Sequence, residues 1–166
     1  MRHKEQIRRD FFDKLAQYFK ENYPDFVVNY KNSCGHFDIR KTSDLSFSKI
    51  KVNVRIGCNA YLHDICVYLG DKDAKGIYDD LYLQRKEIEN QIGYALVWDR
   101  NNENIATRIG RFGKYYRKAG ARRFPRFDFT NYTSFDFDLD VEKVSSELVN
   151  MYNVFMPRVK SILINL

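Results

Sequence analysis

The sequence predicts an α+β domain with a mainly antiparallel sheet of about five strands, flanked by an N-terminal, a central and a C-terminal helix. Three observations carry this. Apolar residues recur at helical spacing in three separate stretches, and between them lie short runs with the period-two alternation of strands. Polar turn formers join the strand-like runs in pairs. At 166 residues, with 44% apolar and 16% aromatic side chains, the chain is long and apolar enough for a single core over residues 1–166.

The first helix covers about residues 3–22, because Ile7, Phe11, Leu15 and Phe19 recur every fourth position and Phe12 and Tyr18 widen the stripe; Pro24 follows its end. FVVNY (26–30) reads as a strand, and the turn-rich stretch after it leaves a short FDI segment ambiguous. In IKVNVRI (50–56), Ile50, Val52, Val54 and Ile56 alternate with Lys51, Asn53 and Arg55, as in a strand with one wet face. Gly57-Cys58-Asn59 supplies a turn into AYLHDICVYL (60–69), apolar enough for a central strand covered on both faces.

Asp71 or Asp73 can cap a central helix running to about Ile92, with Ile77, Leu81, Ile88 and Ile92 on one face and Gly93 suited to a left-handed stop. YALVWDR (94–100) and NIATRIGRF (104–112) flank Asn101-Asn102-Glu103 as a second hairpin. The closing helix has the stripe Val141, Val144, Leu148, Met151, Tyr152, Phe155, Val159, Ile162. Pro157, which lacks the N–H that would bond the carbonyl of Asn153, predicts a kink or break.

The positive charge is concentrated. Of 28 Lys and Arg, eight lie between 108 and 126 without an intervening acid, which leaves 20 against 22 acids in the rest of the chain. All of the net +6 is therefore local, and a single-sign block of this kind steers polyanions. The start, MRHKEQIRRDFF, has no apolar run behind its charges, no stretch is long enough to span a membrane, and three unpaired-looking cysteines suit reduced thiols, so a cytoplasmic location is expected.

KGIYDDLYLQRKEIENQIGYALVWDR, the pair Arg108-Ile109 and the closing FMPRVKSIL together resemble a bacterial and archaeal family, domain of unknown function family 4268. The matching positions are Lys75 opening a helix, Ile88-Glu89 before Gly93, Trp98 on the following strand, and the aromatic pair Phe11-Phe12. The resemblance implies no assigned activity. It does imply company, since family members occur beside or fused to restriction-endonuclease-like modules. The long basic-aromatic segment departs from the family's usual pattern.

That company raises nuclease chemistry, which needs an acid on one strand and acid-x-lysine on its neighbour. Asp64 with Asp73-Ala74-Lys75 is the nearest set, but Asp73 and Lys75 fall at a helix start, where capping accounts for the aspartate. Asp38 with Arg40 and Lys41 fits less well. Cys34, His36, Cys58, His63 and Cys66 offer zinc-type donors without the tight pairs of a structural site, and His63 and Cys66 fall on opposite faces of a strand. Nothing marks a nucleophile for acyl transfer. No catalytic residue, metal or cofactor is assigned.

The basic-aromatic segment has the composition of single-strand binding surfaces, in which cations neutralise phosphates and rings stack on bases. The candidate nucleic-acid-binding residues are Arg108, Arg111, Lys114, Tyr115, Tyr116, Arg117, Lys118, Arg122, Arg123 and Arg126. Asp136, Asp138, Asp140 and Glu142 offer the bland alternative, internal pairing with those arginines. The expected function is a non-catalytic accessory domain of a restriction or defence system that binds nucleic acid, DNA in preference to RNA, or another polyanion. The alternative is a protein-interaction module that binds or regulates a partner nuclease, and the third reading is a weak metal-dependent nuclease.

Overall fold

The computed structural model describes residues 3–31, 35–47, 49–56, 63–111 and 137–166. Helix α1 (His3–Asn22) is followed by strands β1 (Phe26–Lys31) and β2 (His36–Lys41), a 3-10 turn at Thr42–Asp44, and strands β3 (Ile50–Ile56) and β4 (His63–Leu69). Helices α2 (Ala74–Leu83) and α3 (Arg85–Ile92) lead to strands β5 (Val97–Asp99) and β6 (Thr107–Arg111), and α4 (Phe137–Ile164) closes the chain. The strands form one antiparallel sheet in the order β1-β2-β3-β4-β6-β5. Beyond the predicted layout, the described residues therefore hold six strands and four α-helices.

The extra strand is the FDI segment, extended by His36, Arg40 and Lys41 and paired along its whole length with β1. The extra helix arises because the central helix is interrupted at Gln84 (φ −96°, ψ 9°). No glycine or proline marks this break. The Gln84 amide closes a tight turn on the Leu81 carbonyl, while the side chains of Gln84 and Arg85 donate to the carbonyls of Asp80 and Tyr82. Side chains thus take over carbonyls at the interruption. Gly93 ends α3 in the left-handed region at φ 95°, as its position predicts. Asp73 makes no capping bond; the carboxylate that acts in this turn is Asp71, accepting the Asp73 N–H at 3.2 Å.

Register places Phe26, Val28 and Tyr30 of β1, Phe37 and Ile39 of β2, Ile50 and Val52 of β3, and Ile65, Val67 and Leu69 of β4 on one face. All four helices pack on this side: α1 against β1, α2 against β6, α4 across β3 and β4, and α4 also against α1, α2 and α3. The predicted stripes are largely the buried residues: Tyr18 is partly buried, and the Ile7 side chain lies outside the described ones. Phe11, Phe12, Leu15 and Phe19 of α1, Ile77 and Leu81 of α2, Ile88 and Ile92 of α3, and the whole α4 series from Val141 to Ile162 join one core. Each fully buried Phe or Leu contributes about 1.5–3 kcal/mol.

Helix α4 runs through Pro157 without a break. A proline inside a helix costs about 3 kcal/mol, but Phe155 and Met156 before it and Val159 and Ile162 after it are all buried, and their packing outweighs that loss. The predicted central position of β4 also holds: it lies between β3 and β6, with Ile65, Cys66, Val67 and Leu69 buried. Its approach to β6 depends on Gly110. A Cβ there would meet the Ile65 carbonyl oxygen at 2.3 Å and the Cys66 Cβ at 2.5 Å.

Candidate nucleic-acid interface

Because side chains alternate across a strand, the face of the sheet away from the helices carries the other set of residues. Register aligns Val27 with Arg40 across β1 and β2, and Lys51, Tyr68, Arg108 and Asp99 across β3, β4, β6 and β5. Arg40, Lys51 and Arg108 thus lie on the face away from the helices, with Tyr68 between Lys51 and Arg108. Arg108 places its guanidinium 5.9 Å from the centre of the Tyr68 ring. No acid pairs with Arg108 among the described residues. In the neighbouring row Asp38 is buried at 6% exposure; Lys51 approaches its Oδ2 at 3.5 Å, and Oδ1 has no hydrogen-bond partner. Lys51 partly offsets the cost of that buried carboxylate.

Of the ten candidate binding residues, Arg108 and Arg111 fall among the described residues. Lys114, Tyr115, Tyr116, Arg117, Lys118, Arg122, Arg123 and Arg126 lie outside them. Arg108 and Arg111 sit on opposite faces of β6, as their odd separation requires. Arg111 points to the helix side and is 5% exposed. Its Nε and Nη2 meet the two carboxylate oxygens of Glu147 on α4 at 2.7 and 2.9 Å, and the Tyr94 hydroxyl donates to the same carboxylate at 2.8 Å. Burial, followed by the Glu147 charge and hydrogen bond, pushes the Tyr94 hydroxyl well above its ordinary pKa, so it remains a donor at neutral pH. This cation is held inside the fold by Glu147.

The same network fixes the point from which the basic segment departs. Strand β6 ends at Arg111, and Arg111 is bound to α4, the helix on which the chain returns. A second buried network pins the opposite end of the sheet. Asp44, 1% exposed, accepts the Tyr152 hydroxyl at 2.6 Å and pairs with Lys160, while the Lys41 amide donates to the Tyr152 oxygen at 3.0 Å.

Among the described residues, the set considered for nuclease chemistry is not brought together. The Lys75 ammonium donates to the backbone carbonyls of Arg100 and Asn101, clamping the β5–β6 turn where Asn101 has φ 49°. Asp64 lies on the helix-free face of β4, and Lys41 is on the opposite face from Asp38 and Arg40. No group of three or more His, Cys, Asp or Glu with metal-binding geometry occurs among the described residues. Cys66 is a buried thiol, and Cys34 and Cys58 lie outside the described residues.

Sequence reasoning missed Tyr68 as the neighbour of Arg108, and Arg40 and Lys51 as residues of the same face. Lys51 could have been found from the wet face of IKVNVRI; the others needed the strand order. It also missed a cleft of about 700 Å³ lined by Tyr78, Asp79, Tyr82, Arg85, Glu89, Trp98 and Arg100. Its signal in the sequence was the helical i, i+4 pair Tyr78 and Tyr82.

Fold and site define an α+β domain in which the described helices lie on one side of an antiparallel sheet and Arg40, Lys51, Tyr68 and Arg108 lie on the other. The chain belongs to the family described as domain of unknown function (DUF4268), whose model matches residues 7–135. Helix α4, which packs against every other helix, lies beyond the matched residues. No curated protein and no solved structure is a significant match to the chain. No helix among the described residues is long and apolar enough to cross a membrane.

Proposed function

We propose that this is a non-catalytic nucleic-acid-binding domain. Its interface combines the helix-free face around Arg108 and Tyr68 with the basic residues that follow β6. The observation that carries this reading is the position of Arg108: it lies over an aromatic ring on the face away from the helices, six residues before Lys114, the first of six further cations with no acid before Asp128. The Arg108 guanidinium offers donors to phosphate, and the Tyr68 ring beside it offers a flat surface to a base. Arg111 is excluded from the interface, so the contacts fall to Arg108, Lys114, Arg117, Lys118, Arg122, Arg123 and Arg126, with Tyr115 and Tyr116 available for stacking. DNA is the proposed ligand, and service beside a nuclease in a restriction or defence system is the setting that the sequence resemblance supports.

Titration of labelled single-stranded and duplex DNA at two salt concentrations tests the proposal. Four engaged cations give a log–log salt slope of roughly −3 to −4. Changing Arg117, Lys118, Arg122 and Arg123 together to Ala flattens that slope and leaves the unfolding midpoint in place. A wild type that binds neither DNA at low salt, or a variant that binds equally well, overturns the reading.

A further inference from the structure

We infer that the cleft between α2, α3 and β5 is a binding site for a planar heteroaromatic ring with hydrogen-bond donors on one edge, the chemistry of a nucleobase. At about 700 Å³ it has the volume of a small-ligand pocket. One wall is a pair of tyrosines one helical turn apart: the Tyr78 and Tyr82 rings stack with centres 6.0 Å apart and planes at 11°. Trp98 meets both edge-on, at 6.0 and 5.6 Å. Tyr82 is 40% exposed, far more than aromatic rings in the core of this protein, so the stack has an open side.

The polar groups narrow the ligand. Asp79 and Arg100 neutralise each other through two hydrogen bonds of 2.8 and 2.9 Å. One oxygen of Glu89 is filled by the Leu96 amide at 2.9 Å and the Trp98 indole N–H at 3.0 Å, which leaves the second oxygen as an acceptor. Arg85 lies 4.4 Å over the Tyr82 ring and donates one bond, to the Tyr82 carbonyl, so further N–H groups remain for a ligand. Burial, followed by the neighbouring Tyr82, Asp99 and Asp79, pushes the Tyr78 hydroxyl up to about 12, which keeps it a donor at neutral pH.

A quaternary ammonium, a common occupant of aromatic pockets, is disfavoured because it would meet the like charge of Arg85, 4.4 Å from the Tyr82 ring centre. An aliphatic ligand would desolvate the open Glu89 oxygen without replacing its hydrogen bonds. A flat ring with donors toward Glu89 and acceptors toward Arg85 satisfies both groups and can stack on the aromatic surfaces. If the domain also binds a DNA strand, the cleft can take one unstacked base.

Trp98 is the only tryptophan, so its emission reports on the cleft directly. The intact protein is titrated with the four nucleoside monophosphates, with ribose 5-phosphate and inorganic phosphate as ringless controls. Saturable quenching by at least one nucleotide and none by the controls is expected. Tyr82→Ala weakens it about 5- to 150-fold, the worth of one stacking contact, while Tyr82→Phe retains it. The inference is overturned if no nucleotide saturates up to about 10 mM, if the controls quench equally, or if Tyr82→Ala binds like wild type. Loss of quenching in the Arg117, Lys118, Arg122 and Arg123 variant also overturns it, because the signal would then belong to the basic segment. Quenching that persists in that variant while DNA binding fails keeps this inference and removes only the DNA proposal.

Discussion

Arg111 and Glu147, distant in sequence, form a two-pronged buried ion pair between the end of β6 and the middle of α4, with side chains 7% and 14% exposed. Removing one partner of such a pair leaves a buried charge without compensation. Glu147→Ala is expected to cost about 3–5 kcal/mol, and Arg111→Met with Glu147→Leu is expected to recover most of it. Urea unfolding of the two variants decides the matter. Equal losses would mean that the cost is packing and not charge.

Three glycines are expected to respond differently to alanine. At Gly110 the added Cβ collides with the backbone of β4, and overpacking of this kind costs about 1–3 kcal/mol or more. Gly93→Ala meets open space but must hold φ 95°, a left-handed conformation that costs about 1 kcal/mol. Gly76 lies inside α2 with nothing within 4 Å of the new methyl, so Gly76→Ala is expected to stabilise by roughly 0.5–1 kcal/mol. Thermal midpoints in the order Gly76→Ala, wild type, Gly93→Ala, Gly110→Ala are the expected outcome; any other order counts against these backbone assignments.

Asp44 ties stability to acid. Burial pushes its carboxyl up, but the hydrogen bonds from Lys160 and Tyr152 and the Lys160 charge outweigh burial and hold it below the usual aspartate value. A lowered folded-state value means that the contribution is complete above the unfolded-state pKa near 3.8 and disappears as pH falls through the folded value. Asp44→Asn should therefore destabilise the protein at pH 7 and narrow its gap to wild type as the pH drops below about 4. Unfolding curves across that window give the answer, and a constant gap would contradict it.

Tyr30 acts at the other extreme. Its hydroxyl donates to Asp13 at 2.6 Å, and this hydrogen bond, with burial second, pushes its pKa from 10.0 to about 12. The raised value stabilises the fold fully below pH 10, and the benefit is lost as pH rises through 12. Tyr30→Phe should flatten the fall in stability across that interval. An unchanged alkaline slope would refute the assignment.

The periodic features of this fold were legible in the sequence because each is written within a few turns of chain. The α1 stripe from Phe11 to Phe19, the α4 stripe from Val141 to Ile162 and the alternation from Ile50 to Val52 are local patterns, and all three bury their apolar residues. Gly93 ended its helix for an equally local reason, the ease with which glycine takes positive φ. The break at Gln84 was not legible, because no proline or glycine produces it. The passage of α4 through Pro157 was not legible either, because the packing that outweighs a lost hydrogen bond comes from other elements.

The candidate sites divide along the same line. The sequence by itself determined that the positive charge is concentrated between 108 and 126, since charge density is a one-dimensional property. Only the tertiary structure decided that Arg108 lies over Tyr68 on the face away from the helices while Arg111, three residues later, is buried against Glu147. Strand alternation separates the two arginines, but the partner each one meets depends on β4 and α4 coming together with β6, and those contacts join residues far apart in the chain. For the same reason the cleft around Trp98 exists only after folding: α2, α3 and β5 each supply part of its wall, and none encodes the others' position.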